Sequence, residues 1–263
     1  MQRSKRLRRI RVTAASVLIL IICISVLLFI LTPSVDNVEG YRPKAEFVYN
    51  SPLGSDVTLN ATNSSYIPLN DLPDFLVKGI VAVEDRRFYY HPGIDPIAIA
   101  RAGVQAVRNP ERIQGASTIT QQLARSAYLS QERTLSRKME EMILALKIEY
   151  AYPKEKILEF YFNDVFFGDQ IYMDVSYDLT VYGVQDASRF FFGKNASNLS
   201  ISEAAFLTAI LKGPNYYLTR PEELEKRRQV VLEIWSREHI ISEEEYLIAL
   251  REPTQIVQSK AAS

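Results

Sequence analysis

The chain has a single cysteine in 263 residues, Cys23. No disulfide can staple it, so it must hold on its core alone, which a domain of roughly 200 residues can do. An excess of charge is missing too: Lys+Arg and Asp+Glu are equal at 31. That balance implies no nucleic-acid partner. Alternating strand patterns are scarce, and there are no internal repeats or low-complexity tracts, which excludes solenoids and long disordered tails. What remains is a globular composition, 47% hydrophobic and 24% charged.

The charge is unevenly placed. Arg3, Lys5, Arg6, Arg8, Arg9 and Arg11 precede the first acid, Asp36, so the rest of the chain carries a net charge of −6. Behind this basic head runs Val12 to Leu31, aliphatic except for Thr13, Ser16, Cys23 and Ser25. About 20 helical residues at about 1.5 Å each cross a hydrocarbon core of about 30 Å. The run exceeds the roughly 7–15 apolar residues of a cleaved signal, and no small-x-small site follows closely. Ile22 before Cys23 does not fit a lipid-attachment signal. The pattern predicts an uncleaved anchor with its N-terminus in the cytoplasm and the remainder outside the cytoplasmic membrane.

Five segments are expected: a basic segment over 1–11, the anchor over 12–31, an irregular and partly stranded linker over 32–70, a helical domain over 71–252 and a tail over 253–263. The linker is rich in Pro, Ser, Asn and Gly. Apolar periodicity predicts helices at about 73–90, 95–108, 117–129, 134–151, 154–163, 176–191, 202–212, 221–238 and 242–251. Start signals stand at Asp95-Pro96, Ser202, Arg220-Pro221 and Ser242-x-x-Glu245. The external domain reads as all-α.

Two glutamates stand where a surface carboxylate is not expected. On a helix, Glu84 shares a face with Ile80, Val81 and Phe88, with His91 one turn on. Partial desolvation there would raise its pKa toward the range of a general base. A buried ion pair with Arg86, Arg87 or His91 is the structural alternative, and Asp85 reads as a solvated or structural neighbour. Glu141 and Arg137 lie with Leu144, Ala145 and Ile148, while Met139, Met142, Ile143 and Leu146 form a second stripe. A helix apolar on two faces is expected at the centre of its domain. Arg137 and Glu141 then either project into a cleft or form a salt bridge in the core. Glu140, near Lys147, reads as a surface acid.

Between the glutamates lies Gly115-Ala116-Ser117-Thr118-Ile119-Thr120-Gln121-Gln122. As the first turn and a half of a helix it offers free amides, hydroxyls and side-chain amides to sugar hydroxyls or phosphate oxygens. Ser117 as a plain cap is the simpler reading. Arg125 follows one turn later and pairs with Arg137 as a possible clamp for an anion.

These residues carry a resemblance. Glu84-Asp85-x-x-Phe88-x-x-His91-x-Gly93 is similar to the first motif of the peptidoglycan glycosyltransferases, glycosyltransferase family 51. The run from Gly115 to Gln122 resembles the second motif. Arg137-Lys138-x-x-Glu141, with Lys154-x-x-Ile157-Leu158-Glu159-x-Tyr161-x-Asn163, resembles the third. Tyr182-Gly183-Val184-x-x-Ala187, Phe192-Gly193-Lys194 and Leu199-x-x-x-Glu203-Ala204-Ala205 resemble the fourth. The match covers about residues 70–250 in order.

The resemblance implies a mostly α, lysozyme-like, two-lobed helical domain behind one N-terminal transmembrane helix, with a smaller membrane-facing jaw. It implies polymerisation of lipid II into β-1,4-linked glycan strands by inverting transfer, releasing undecaprenyl pyrophosphate. Glu84 and Glu141 are then the catalytic carboxylates, Glu84 as base toward the acceptor hydroxyl and Glu141 as electrostatic support. Asp85, Phe88, His91, Gly93, Gly115, Ser117, Thr118, Gln121, Gln122, Arg125, Arg137 and Lys138 are the substrate-binding set, with Arg125 and Arg137 on the departing pyrophosphate. Arg125 stands where the family usually has lysine, Pro153, Phe162, Gln185-Asp186 and Ser188 also depart from its pattern, and the aromatics Phe166, Phe167, Tyr172 and Tyr177 are candidates for the jaw. The end at Ser263 resembles the monofunctional, membrane-anchored form. Implied partners are lipid II, the growing strand, the bacterial cytoplasmic membrane and other cell-wall synthases. No cofactor is required, and a divalent cation (Mg or Mn) stays open as an aid to pyrophosphate departure. The other readings are a lysozyme-like cleaving enzyme, an inactive membrane-anchored scaffold for cell-wall synthases and a wall-binding module.

Overall fold

Proline and capping residues set most of the helix starts. The computed structural model describes residues 46–50, 56–60, 66–108, 117–129, 135–169, 180–252 and 254. Among them α1 (Asp74–Glu84) begins behind Pro73, α2 (Pro96–Arg108) behind Asp95, and α3 (Ile119–Tyr128) behind Thr118. α4 (Leu135–Ala151) and α5 (Lys154–Asp164) follow, then α6 (Val184–Phe192) and α7 (Ile201–Leu211). α8 (Pro214–Leu218), α9 (Pro221–Arg237) and α10 (Glu243–Arg251) close the order. Two antiparallel hairpins complete it: β1 (Glu46–Asn50) with β2 (Asp56–Asn60), and β3 (Phe166–Asp169) with β4 (Thr180–Tyr182). The chain is mostly α, as the periodicity predicts.

Several boundaries differ from expectation. The first helix was expected over 73–90 but stops at Glu84, because the Asp85 carboxylate turns inward and residues 88–90 form a separate 3-10 turn. The expected helix over 176–191 begins at Val184, after β4. α7 is capped by Ser200 in a reciprocal box with Glu203, not by Ser202, whose hydroxyl is buried and bonded to Arg228 and the Glu252 carbonyl. The box at Ser242 and Glu245 forms as its spacing predicts. β1 and β2 fall in the segment read as a partly stranded linker. The anchor at 12–31, Gly115 and most of the tail lie outside the described residues, and no helix among those described is long and apolar enough to cross a membrane.

The centre belongs to α7 rather than α4. α7 is apolar on every side, and Ala204 through Ile210 are buried. It packs against α1, α9 and α10. In α4 the Leu144 and Ile148 face is buried, whereas Met139, Leu146 and Tyr150 are exposed. The second stripe is thus only partly covered: Ile143 is buried and Met142 half-buried, while Met139 and Leu146 reach solvent among the described residues. α1 meets α9 at Gly79, where an added Cβ would lie 2.2 Å from the Trp235 ring. Leu76, Ile80, Leu123, Ile157, Leu158, Phe162, Leu232 and Trp235 join these helices in one core. Phe167, a jaw candidate, is fully buried, and Phe166 packs on Tyr182, so neither offers a free aromatic face; Tyr172 and Tyr177 lie outside the described residues.

Candidate active site

Glu84 is the last residue of α1, so its side chain leaves the helix where the backbone breaks. It keeps some contact with solvent, but protein surrounds the carboxyl group. Burial raises its pKa above the ordinary carboxylate range; a hydrogen bond from Gln122 and the charges of Arg227 and Lys212 oppose that rise, and Asp85 adds to it. Gln122 Nε2 donates to Glu84 Oε2 at 3.0 Å. The ion-pair alternatives are all taken elsewhere: Arg86 pairs with Glu238, Arg87 with Asp95 and His91 with Asp85.

Asp85 and its partners build the wall behind Glu84. Asp85 is buried and accepts from His91 Nε2 at 3.0 and 3.1 Å and from the Ile119 N–H at 3.0 Å. His91 Nδ1 accepts the Gly93 N–H at 3.1 Å, which places the ring proton on Nε2. Gly93 has φ +89°, and a Cβ there would meet the Ala145 carbonyl oxygen at 2.8 Å, so glycine is required. Thr118 donates to the Gly93 carbonyl at 2.6 Å and caps α3 in a box with Gln121. Phe88 is buried beneath, with the Lys154 ammonium 4.2 Å from its ring centre. Asp85, Phe88, His91, Gly93, Thr118 and Gln121 are therefore occupied within the protein. These contacts hold the frame of the site. The cap is Thr118, not Ser117.

A second cluster sits at the start of α4. Glu141 is 1% exposed, and both its oxygens are taken: Arg137 donates to Oε1, and Lys138 Nζ donates to Oε2 at 2.7 Å. Lys138 also donates to the Ser117 hydroxyl at 2.8 Å. A carboxylate that engages two cations fixes where those cations point. Arg125, on α3 one turn past Gln122, is half-buried and has no hydrogen-bond or ion-pair partner among the described residues. The structure thus joins Glu84 with Gln122, and Glu141 with Arg137, Lys138 and Ser117, with α3 between the two groups.

Two residues escaped the sequence reading. Lys212 follows α7 directly and Arg227 lies on α9, and both act electrostatically on Glu84. Lys212 has its pKa lowered by burial and by Arg227, against the opposing pull of Glu84. Arg227 Nε is buried without a hydrogen-bond partner among the described residues. Neighbouring Arg228 points the other way, fully buried against Glu225, Ser202 and the Ala249 carbonyl. Only a 3.6-residue projection of α9 separates two adjacent arginines in this way, and nothing local in the sequence aims Arg227 at a residue more than 140 positions earlier. No group of three His, Cys, Asp or Glu side chains converges as a metal site among the described residues.

A carboxylate of raised proton affinity bordered by the cations Lys212 and Arg227 has the character of an enzyme active site. The comparisons agree. The family model described as Transglycosylase matches residues 52–235. Penicillin-binding protein 1A of Aquifex aeolicus is 38% identical over 216 residues, covering 81% of this chain and 28% of that protein. The protein of the same name from Neisseria gonorrhoeae is 35% identical over 223 residues, covering 84% and 27%. That from Haemophilus influenzae is 44% identical over 192 residues, covering 71% and 21%. The chain belongs to the transglycosylase family. It spans about a quarter of the length of these relatives. A crystal structure of the Haemophilus influenzae protein aligns with a TM-score of 0.38 at 23% identity, over 72% of this chain and 17% of that one.

Proposed function

We propose that this protein polymerises a lipid-linked disaccharide pyrophosphate, lipid II, into β-1,4-linked glycan strands. In this reading Glu84 takes the proton from the 4-hydroxyl of the acceptor sugar. The freed oxygen attacks the donor's anomeric carbon from the face opposite the pyrophosphate. The new C–O bond forms as the bond to the phosphate oxygen breaks, with inversion. The bonding pair leaves on undecaprenyl pyrophosphate, and the proton stays on Glu84 until solvent removes it.

The observation that carries the reading is the contrast between the two glutamates. Glu84 has one neutral donor and a raised pKa, the state expected of a base. Glu141 has both oxygens engaged by Arg137 and Lys138, so neither is free to reach a leaving group. A glycosidase of the lysozyme kind needs a protonated carboxyl for that purpose. A pyrophosphate needs none; it needs positive charge, which Arg125, Arg137 and Lys138 supply. The lysozyme-like two-lobed arrangement, the anchor at 12–31 and placement on the outer face of the bacterial cytoplasmic membrane belong to the same proposal, as do the growing strand and partner synthases.

The test supplies the detergent-solubilised protein with labelled lipid II in one tube and preformed glycan strands in another. Polymer from the first and unchanged strands in the second is the expected result. Shortened strands in the second, with no polymer in the first, would establish a cleaving enzyme instead.

A further inference from the structure

Behind Gln122 stands a residue that touches neither glutamate directly. Tyr161, on α5, is 1% exposed, and its hydroxyl donates to Gln122 Oε1 at 3.3 Å. Gln122 Nε2 in turn donates to Glu84 Oε2 at 3.0 Å. The two ends of one amide are thus used in sequence. An amide can face a carboxylate with its nitrogen or with its oxygen, and the two orientations have nearly the same shape. The nitrogen end stabilises an ionised carboxylate; the oxygen end repels it. An ionised carboxylate draws the nitrogen end by itself, but a protonated one can donate to the oxygen end, so a donor on the far side is what keeps the nitrogen end forward in both states. A phenol is such a donor as long as it keeps its proton, and burial, first, and then the charge of Glu84 raise the Tyr161 pKa well above its ordinary value, against the pull of Arg125.

We infer that Tyr161 is a positioning residue: through Gln122 it locks the amide so that a donor always faces Glu84, and so tunes the base without touching substrate. The inference rests on the reading of Glu84 as general base. Among the described residues, every other group acting on Glu84 comes from elsewhere: Asp85 beside it, Lys212 behind α7 and Arg227 on α9. None of them fixes the amide. Tyr161 therefore has a role separable from the cationic field around the site.

The consequence appears in pH dependence. Without the hydroxyl, the amide is free to turn its oxygen toward protonated Glu84, that form gains a hydrogen bond, and the proton affinity of Glu84 rises. The acid limb of kcat/KM should move upward. One hydrogen bond gained by the protonated form corresponds to a shift of about one pH unit. Below the limb the variant should be about tenfold slower than wild type; above it the two should converge. The pH–rate profile of lipid II polymerisation is measured for wild type, Tyr161→Phe, Gln122→Leu and the double variant, with Glu84→Gln alongside. An upward-shifted acid limb in Tyr161→Phe, and no further effect of that change in the Gln122→Leu background, is the expected result. An unshifted limb, whether activity falls equally at every pH or not at all, overturns the positioning role and leaves Tyr161 as packing. An equal effect in the Gln122→Leu background overturns it too, because the route would not pass through the amide. Full activity in Glu84→Gln would instead overturn the base reading, and the inference with it.

Discussion

Glu84 and Glu141 are both buried carboxylates, and their partners separate them. Glu141 meets two cations, so its removal strands positive charge: Glu141→Ala should cost about 3 kcal/mol in a denaturant titration. Glu84 opposes its own ionisation. Glu84→Gln should therefore hold or raise stability while activity is lost. Equal destabilisation by the two changes would contradict this division. Asp164 is another buried acid, unsuspected from sequence because it ends an ordinary helix. Burial raises its pKa to about 7 from 3.8, although the Ser126 hydroxyl donates to it. The unfolded chain releases this proton near 3.8 and the folded chain near 7. Its contribution is thus fully present below pH 4, falls as pH rises to about 7 and is flat beyond. The total is on the order of 4 kcal/mol. Asp164→Asn should flatten the stability profile across that window, and unfolding midpoints of the two proteins at pH 5 and pH 8 check it; parallel profiles would contradict it. At this scale the sequence marked Glu84, Glu141, Gln122, Arg125, Arg137 and Lys138. It did not show that Asp85, His91, Thr118 and Gln121 bond to protein partners. For Thr118 and Asp85 those partners lie 25 and 34 positions away.

Elements were legible where their ends are written locally. Pro153, Pro221 and the Ser242 box sit at the starts of α5, α9 and α10. They were illegible where a tertiary contact sets the end. The apolar period runs on through Phe88, yet α1 stops at Glu84 because Asp85 bonds to the Ile119 amide. β3 and β4 are four and three residues long, too short for an alternating pattern to register. The α1–α9 contact makes its own prediction. Gly79→Ala drives a methyl into the Trp235 indole, so the helices must part. Such overpacking costs about 1–3 kcal/mol, and because Glu84 ends the same helix, kcat should fall as well. Thermal unfolding and polymerisation assays on that variant read both effects. An unchanged melting temperature would mean the two helices slide without cost.

The whole molecule presents a basic head, an apolar run and a helical domain that is net acidic yet sets cations beside two carboxylates, Glu84 and Glu141. That placement comes from separate elements: Lys212 after α7 and Arg227 on α9 act on Glu84, and α4 gives Arg137 and Lys138 to Glu141. Overall neutrality hid it from composition, since local fields come from placement and not from totals. The most direct test of the account is gel analysis of labelled lipid II incubated with the full chain in detergent, wild type beside Glu84→Gln. Polymer from the wild type and none from the folded variant is the predicted result. Polymer from both would contradict the assignment of Glu84 as the base.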